Sequence, residues 1–224
     1  KLAPVIKELQ KYSDTLKSVV TVTAQHRQML DSVLSVFAIK PDYDMNIMDK
    51  NQGLSDITCK VLKNIEVIYE KEQPDLVLVQ GDTTTVFAAS LAAYYRRIPV
   101  GHIEAGLRSR NKYQPFPEEI NRRLTSVIAH LHFAPTDEAK TNLLNEGISE
   151  GLICVTGNTV IDALLEVAAQ DFTFDNDLLN NIKGRMILIT AHRRESFGKP
   201  FIDICNAILT LAKQYTDVTF VYPV

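Results

Sequence analysis

Asp75-Leu76-Val77-Leu78-Val79-Gln80-Gly81-Asp82-Thr83-Thr84-Thr85 and Ile98-Pro99-Val100-Gly101-His102-Ile103-Glu104-Ala105-Gly106-Leu107-Arg108 are two buried-strand patterns, each ending in a carboxylate. Between them, residues 86–97 form an alanine-rich apolar run of helical length. Strand, helix and strand in that order make a βαβ unit with parallel strands. Ligands of such sheets bind in the crevice beyond the carboxyl ends of the strands. Asp82 and Glu104 are therefore expected there, within reach of one bound molecule, an arrangement suited to an enzyme.

The same alternation extends outward from this unit. Helices are expected over 2–11, 27–37 and 54–70, with a strand over 18–23 and a short extended piece near 43–48. Downstream, the pattern predicts a helix over 117–131, with Glu118 and Glu119 in the first turn behind Pro117. A strand over 132–134 follows, then a helix capped by Thr136, a strand over 152–155 and a helix over 160–169. Residues 170–184 are polar and lack strand periodicity, and 185–190, 201–215 and 218–222 begin another α/β segment. The expected organisation is a Rossmann-like domain over 1–170, a linker over 171–184 and the start of a second Rossmann-like domain over 185–224. The first residues read as a helix already under way and the last fall inside a strand, so a longer parent protein is expected.

Bulk properties narrow the class. The 224 residues are 46% hydrophobic and 23% charged, which suits a globular chain with a real core. A net charge of −3 gives no general attraction to nucleic acid or to an anionic membrane. No apolar run approaches the roughly 20 residues of a membrane span, and no signal peptide is expected. Cys59, Cys154 and Cys205 stand singly in apolar segments, so buried, reduced thiols and a cytoplasmic location are expected. Dinucleotide and Walker A fingerprints are missing, so nicotinamide and ATP chemistry have no support.

Each polar loop has two readings. Asp82 suits acid–base work or the binding of sugar hydroxyls, and equally a helix N-cap. Glu104 directly follows a buried strand, which argues against an idle surface residue, and His102 beside it reads as a packed or orienting imidazole. Glu118 by itself is a negatively charged helix start. His130 and His132 lack further ligands, so no metal site is expected. His192, Arg193 and Arg194 follow the 185–190 strand and suit a diphosphate, or form a solvated basic loop.

Taken together, six blocks resemble the non-hydrolysing UDP-N-acetylglucosamine 2-epimerases of bacteria and archaea. They are Thr23-Ala24-Gln25-His26-Arg27-Gln28-Met29-Leu30, Gly81-Asp82-Thr83-Thr84-Thr85, Gly101-His102-Ile103-Glu104-Ala105-Gly106-Leu107-Arg108, Pro117-Glu118-Glu119-Ile120-Asn121-Arg122, Thr156-Gly157-Asn158-Thr159-Val160-Ile161-Asp162-Ala163-Leu164 and Thr190-Ala191-His192-Arg193-Arg194-Glu195-Ser196-Phe197-Gly198. The resemblance implies the α/β glycosyltransferase-B fold, two Rossmann-like domains with the active site between them, the second truncated here. It implies interconversion of UDP-GlcNAc and UDP-ManNAc through loss of UDP, a 2-acetamidoglucal intermediate and re-addition. A hydrolysing relative releasing ManNAc and UDP, or a non-catalytic sugar-nucleotide-binding module, is the alternative.

By the same resemblance, Asp82, Glu104 and Glu118 match the acid/base carboxylates, and Lys1 matches the lysine of the family's N-terminal loop. His192 matches a histidine that contacts the diphosphate. Gln25, Gln28 and Gln52 match a second, activating UDP-GlcNAc site, although Asn51 stands where some regulated members carry Arg. No cofactor and no metal are implied, and a homodimer is. The 224 residues alone are expected to be inactive, and the parent to supply ManNAc units for surface polysaccharides.

Overall fold

Among the described residues strands and helices largely alternate, and the paired strands run parallel. The computed structural model describes residues 1–24, 27–49, 52–191 and 198–223. These divide into two compact units, Lys1–Ala169 and Gln170–Val224.

The first unit runs α1 (Ala3–Gln10), β1 (Thr21–Val22), α2 (Arg27–Val36), β2 (Tyr43–Asp44), α3 (Leu54–Glu72), β3 (Val77–Gln80), α4 (Thr84–Tyr95), β4 (Val100–Ile103), α5 (Glu118–Ile128), β5 (Leu131–Ala134), α6 (Asp137–Asn145), β6 (Ile153–Val155) and α7 (Thr159–Ala168). A four-stranded sheet has the order β3-β4-β5-β6, and β1 pairs with β2. Its register sets Gln80 beside Ile103 and Ala134 beside Val155. The loops that begin at Gly81, Glu104, Pro135 and Thr156 therefore leave along one edge of the sheet, where ligands of parallel sheets bind. The second unit carries α8 (Asp177–Asn180), β7 (Arg185–Leu188), α9 (Lys199–Gln214) and β8 (Val218–Val221), with β7 and β8 paired.

Helix α4 shows why this sequence builds this sheet. Ala88, Ala92 and Ala93 are fully buried, and such small side chains let α4 pack closely against α3 and α5. On α3, Ile57, Val61, Ile65 and Ile68 recur at helical spacing and form the facing stripe of the core. Above it, β4 is buried at every residue, as expected of a central strand covered on both faces.

Several boundaries differ from the sequence expectation for identifiable reasons. The β1 ladder is short because the Val20 N–H is taken by the Asp42 carboxylate at 2.7 Å rather than by a strand partner. α4 begins earlier because the Thr83 hydroxyl accepts from the Val86 N–H, making Thr83 its N-cap. α5 ends earlier because the His130 N–H already bonds the Val100 carbonyl at 2.8 Å, committing the chain to β5. The polar 170–184 stretch contains α8, capped by the Asn176 side chain on the Leu178 N–H. Thr136 caps α6 as expected.

One expectation is overturned. Cys59, Cys154 and Cys205 are free thiols, but all are exposed rather than buried. Cys59 lies off the α3 stripe, and β6, the edge strand of its sheet, buries only Ile153. Among the described residues no helix is long and apolar enough to cross a membrane.

Candidate functional site

The loops after β3 and β4 lie side by side, and the structure holds each in place. The Gly81 N–H bonds the Ile103 carbonyl at 3.0 Å, and His102 Nε2 lies 2.8 Å from the Gly81 carbonyl. A carbonyl only accepts, so Nε2 carries the proton and donates. His102 is fully buried, and burial pushes its pKa down to about 3, against the opposing pull of that hydrogen bond. It is a neutral orienting imidazole that fixes the backbone just before Asp82.

Asp82 is not a helix cap, since Thr83 fills that role. Its backbone carbonyl accepts from Asn121 Nδ2 at 3.0 Å, and its carboxylate pairs with the Arg122 guanidinium. The Asp82 side chain is about one third exposed, so it faces an open edge with one oxygen anchored.

Glu104 takes a backbone φ of 64°, a left-handed conformation that residues with side chains rarely adopt. Its carboxylate, although buried, collects three donors. Lys1 Nζ stands 2.7 Å from Oε1, Asn158 Nδ2 stands 3.1 Å from Oε1, and Gln80 Nε2 bonds Oε2. Burial favours the neutral acid, but Lys1, then Asn158 and Arg122, outweigh it and hold the carboxyl below its ordinary range. Glu104 is thus an anion near neutral pH. Asn158 serves twice, because its Oδ1 also caps α7 through the Val160 N–H.

Arg122 ties the two loops together. One guanidinium nitrogen donates to the Asp82 carboxylate and another to the Glu104 backbone carbonyl. Glu118 opens α5 three and four residues before Asn121 and Arg122, which puts it on the same face of the helix. Its Oε2 is buried without a hydrogen-bond partner among the described residues. Neighbouring Glu119 is structural, accepting from the Ser109 and Arg110 N–H groups at 2.9 and 3.2 Å.

A family model described as UDP-N-acetylglucosamine 2-epimerase matches residues 7–224. The chain belongs to that family. A UDP-N-acetylglucosamine 2-epimerase of Neisseria meningitidis is 53% identical over 235 residues, covering all of this chain and 62% of the relative. One from Bacillus subtilis is 52% identical over 225 residues, covering all of this chain and 58% of the relative. The crystal structure of the Neisseria meningitidis epimerase bound to UDP-GlcNAc matches with a TM-score of 0.91 and 53% identity, over 100% of this chain and 62% of that one. The chain spans about three fifths of the length of the curated relatives it matches. The α/β fold class of the glycosyltransferase-B type expected from the sequence agrees with this likeness.

Within this chain, Lys1, Asp82 and Glu104 come together, and Glu118 shares a helix face with Asp82's partners. Gln28 is exposed on α2, whereas Gln52 donates to the Ile47 carbonyl at 2.6 Å. His192 and Gln25 lie outside the described residues, as does Asn51. Among the described residues, no group of three His, Cys, Asp or Glu side chains could hold a metal ion. Sequence reasoning placed Arg122 and Asn158 within motif blocks but gave neither a role. The signals were present, since Arg122 is one helical turn beyond Glu118 and Asn158 precedes an apolar helix as a cap.

Proposed function

We propose that the full-length protein carrying this chain interconverts UDP-GlcNAc and UDP-ManNAc without net hydrolysis. The observation that carries the reading is the pair of carboxylate loops, Asp82 and Glu104, joined through one buried guanidinium at the ligand edge of the sheet. Family membership supplies the substrate class. The C2–H bond is not adjacent to a carbonyl, so its proton is lost only as the leaving group departs. The C2–H electron pair becomes the C1=C2 bond of a 2-acetamidoglucal, while the C1–O pair leaves with UDP. Re-addition of UDP at C1 with protonation of the other face of C2 completes the epimerisation.

Asp82, Glu104 and Glu118 supply the acid and base, a role that needs carboxylates kept in fixed and distinct environments. Glu104, held anionic by Lys1 and Asn158, is ready to accept a proton or to face developing positive charge at C1. His192, whose place in the reading rests on the family resemblance, binds the departing diphosphate. Gln25, Gln28 and Gln52 belong to an activating UDP-GlcNAc site. The reaction uses neither metal nor organic cofactor, in a cytoplasmic homodimer that feeds polysaccharide synthesis. Residues 1–224 by themselves do not turn over.

Incubation of the full-length protein with UDP-GlcNAc in deuterated water tests this. Deuterium at C2 should accompany UDP-ManNAc, and Asp82→Asn or Glu104→Gln should slow exchange by about 10²- to 10⁴-fold. Free ManNAc with UDP as the accumulating products would assign the hydrolysing reaction instead. Absence of any C2 exchange would refute epimerisation.

A further inference from the structure

We propose that Arg122 is a positioning residue that sets the Asp82 carboxylate and the Glu104 backbone together, and so fixes the separation of the two groups facing the sugar. The inference rests on the function proposed above. Arg122 is 6% exposed, so its guanidinium sits between the two loops away from bulk water. Its Nη2 donates to Asp82 Oδ2 and its Nη1 to the Glu104 carbonyl, so one rigid plane spans two loops from different strands. The second contact falls on a residue at φ 64°, where a bond to the carbonyl helps hold an unusual backbone angle and hence the direction of the side chain.

The scaffold beneath Arg122 suits that duty. The Arg122 carbonyl accepts from Ser126 Oγ at 3.1 Å, and Ser126 Oγ in turn accepts from Arg108 Nη2 at 3.0 Å. Asn121, the preceding residue, grips the Asp82 carbonyl. The turn of α5 that bears Arg122 is therefore braced from both sides. A lysine carries the charge but lacks the fork, and its single ammonium cannot hold both oxygens at the same angles.

Arg122→Lys and Arg122→Ala in the full-length protein test the idea. For Arg122→Lys the expected result is a folded protein with KM for UDP-GlcNAc within about threefold of the parent and kcat lowered about 100-fold, the effect of a small misplacement of reacting groups. Added guanidinium ion should raise the kcat of Arg122→Ala at least about tenfold, with ammonium ion ineffective, because only the planar cation reproduces the fork. Wild-type kcat in folded Arg122→Lys, or a loss confined to KM, overturns the proposal. So does a protein that folds with neither substitution, which would make Arg122 structural. Crystal structures of the parent and Arg122→Lys judge the geometry independently of turnover. Departure of Glu104 from positive φ or rotation of the Asp82 carboxylate supports the proposal, and both unmoved overturns it. A parent without turnover on UDP-GlcNAc refutes the proposed function, while this structural comparison still decides the role of Arg122.

Discussion

Lowering the pH from 7 toward 4 should destabilise the first unit through two buried imidazoles. His102 on β4 and His132 on β5 are direct neighbours in the sheet register, and both are buried. Burial pushes His102 to about 3, with Arg122, His132 and Arg108 adding to the effect and the Gly81 bond opposing it. Burial, then Arg108, pushes His132 to about 4. Both folded values lie below the 6.5 of an unfolded histidine, so the unfolded chain binds protons that the folded one refuses. Stability is then complete above pH 6.5 and falls as pH drops toward the folded values. Each imidazole removes about 1.4 kcal/mol per pH unit in that window, or about 2.7 kcal/mol per unit for the pair. The accumulated loss near pH 4 is about 6 kcal/mol, comparable to the whole stability of many domains. Glu104, held low by Lys1 against the opposing effect of its burial, and Glu146, held low by Arg108, add to the loss only below their ordinary value of 4.5, so these two carboxylates stay out of the range above pH 5. Urea unfolding by circular dichroism across this range, with hydrogen exchange read on β4 and β5, measures the slope. His132→Phe removes one titrating ring and should roughly halve it. Stability unchanged between pH 7 and 5, or an equal slope in His132→Phe, would show that the rings titrate as hydrated groups and refute the reasoning.

Other substitutions probe the loops directly. Gly106 has φ +84°, and an added Cβ would lie 2.2 Å from the Ala139 carbonyl oxygen, so Gly106→Ala should lower stability by at least about 2 kcal/mol in urea unfolding. Asn158→Ala loses the α7 cap and a donor to Glu104, with an expected stability loss of about 1 kcal/mol and a fall in kcat that Asn158→Asp, which keeps the cap, does not rescue. Glu119→Gln weakens the acceptor for two backbone N–H groups and should cost about 1–3 kcal/mol of stability. Glu118→Gln should change stability by less than about 0.5 kcal/mol yet slow C2 exchange, separating the adjacent carboxylates by role.

The βαβ unit around Asp82 and Glu104 was legible because apolar runs, glycines and capping residues act over a few positions. Thr136 as an N-cap and the stripe on α3 belong to the same local grammar. Cysteine burial was misread because an apolar neighbourhood in sequence does not state which way one side chain points. Cys154 faces out because its strand is the edge of the sheet, a property of strand order.

Sequence alone determined the alternation of strands and helices, the placement of carboxylates just beyond two strands and, through six motif blocks, the family resemblance. Tertiary structure decided which polar groups meet. The parallel register brings the ends of β3 and β4 level, α5 then carries Arg122 into both loops, and the β6–α7 turn delivers Asn158 to Glu104. It also separated Glu119, consumed by backbone N–H groups, from Glu118, whose carboxylate keeps a buried oxygen unpaired among the described residues. The physical reason is range. Propensity and periodicity act between near neighbours, whereas hydrogen bonds and ion pairs depend on distances that only the packed sheet sets.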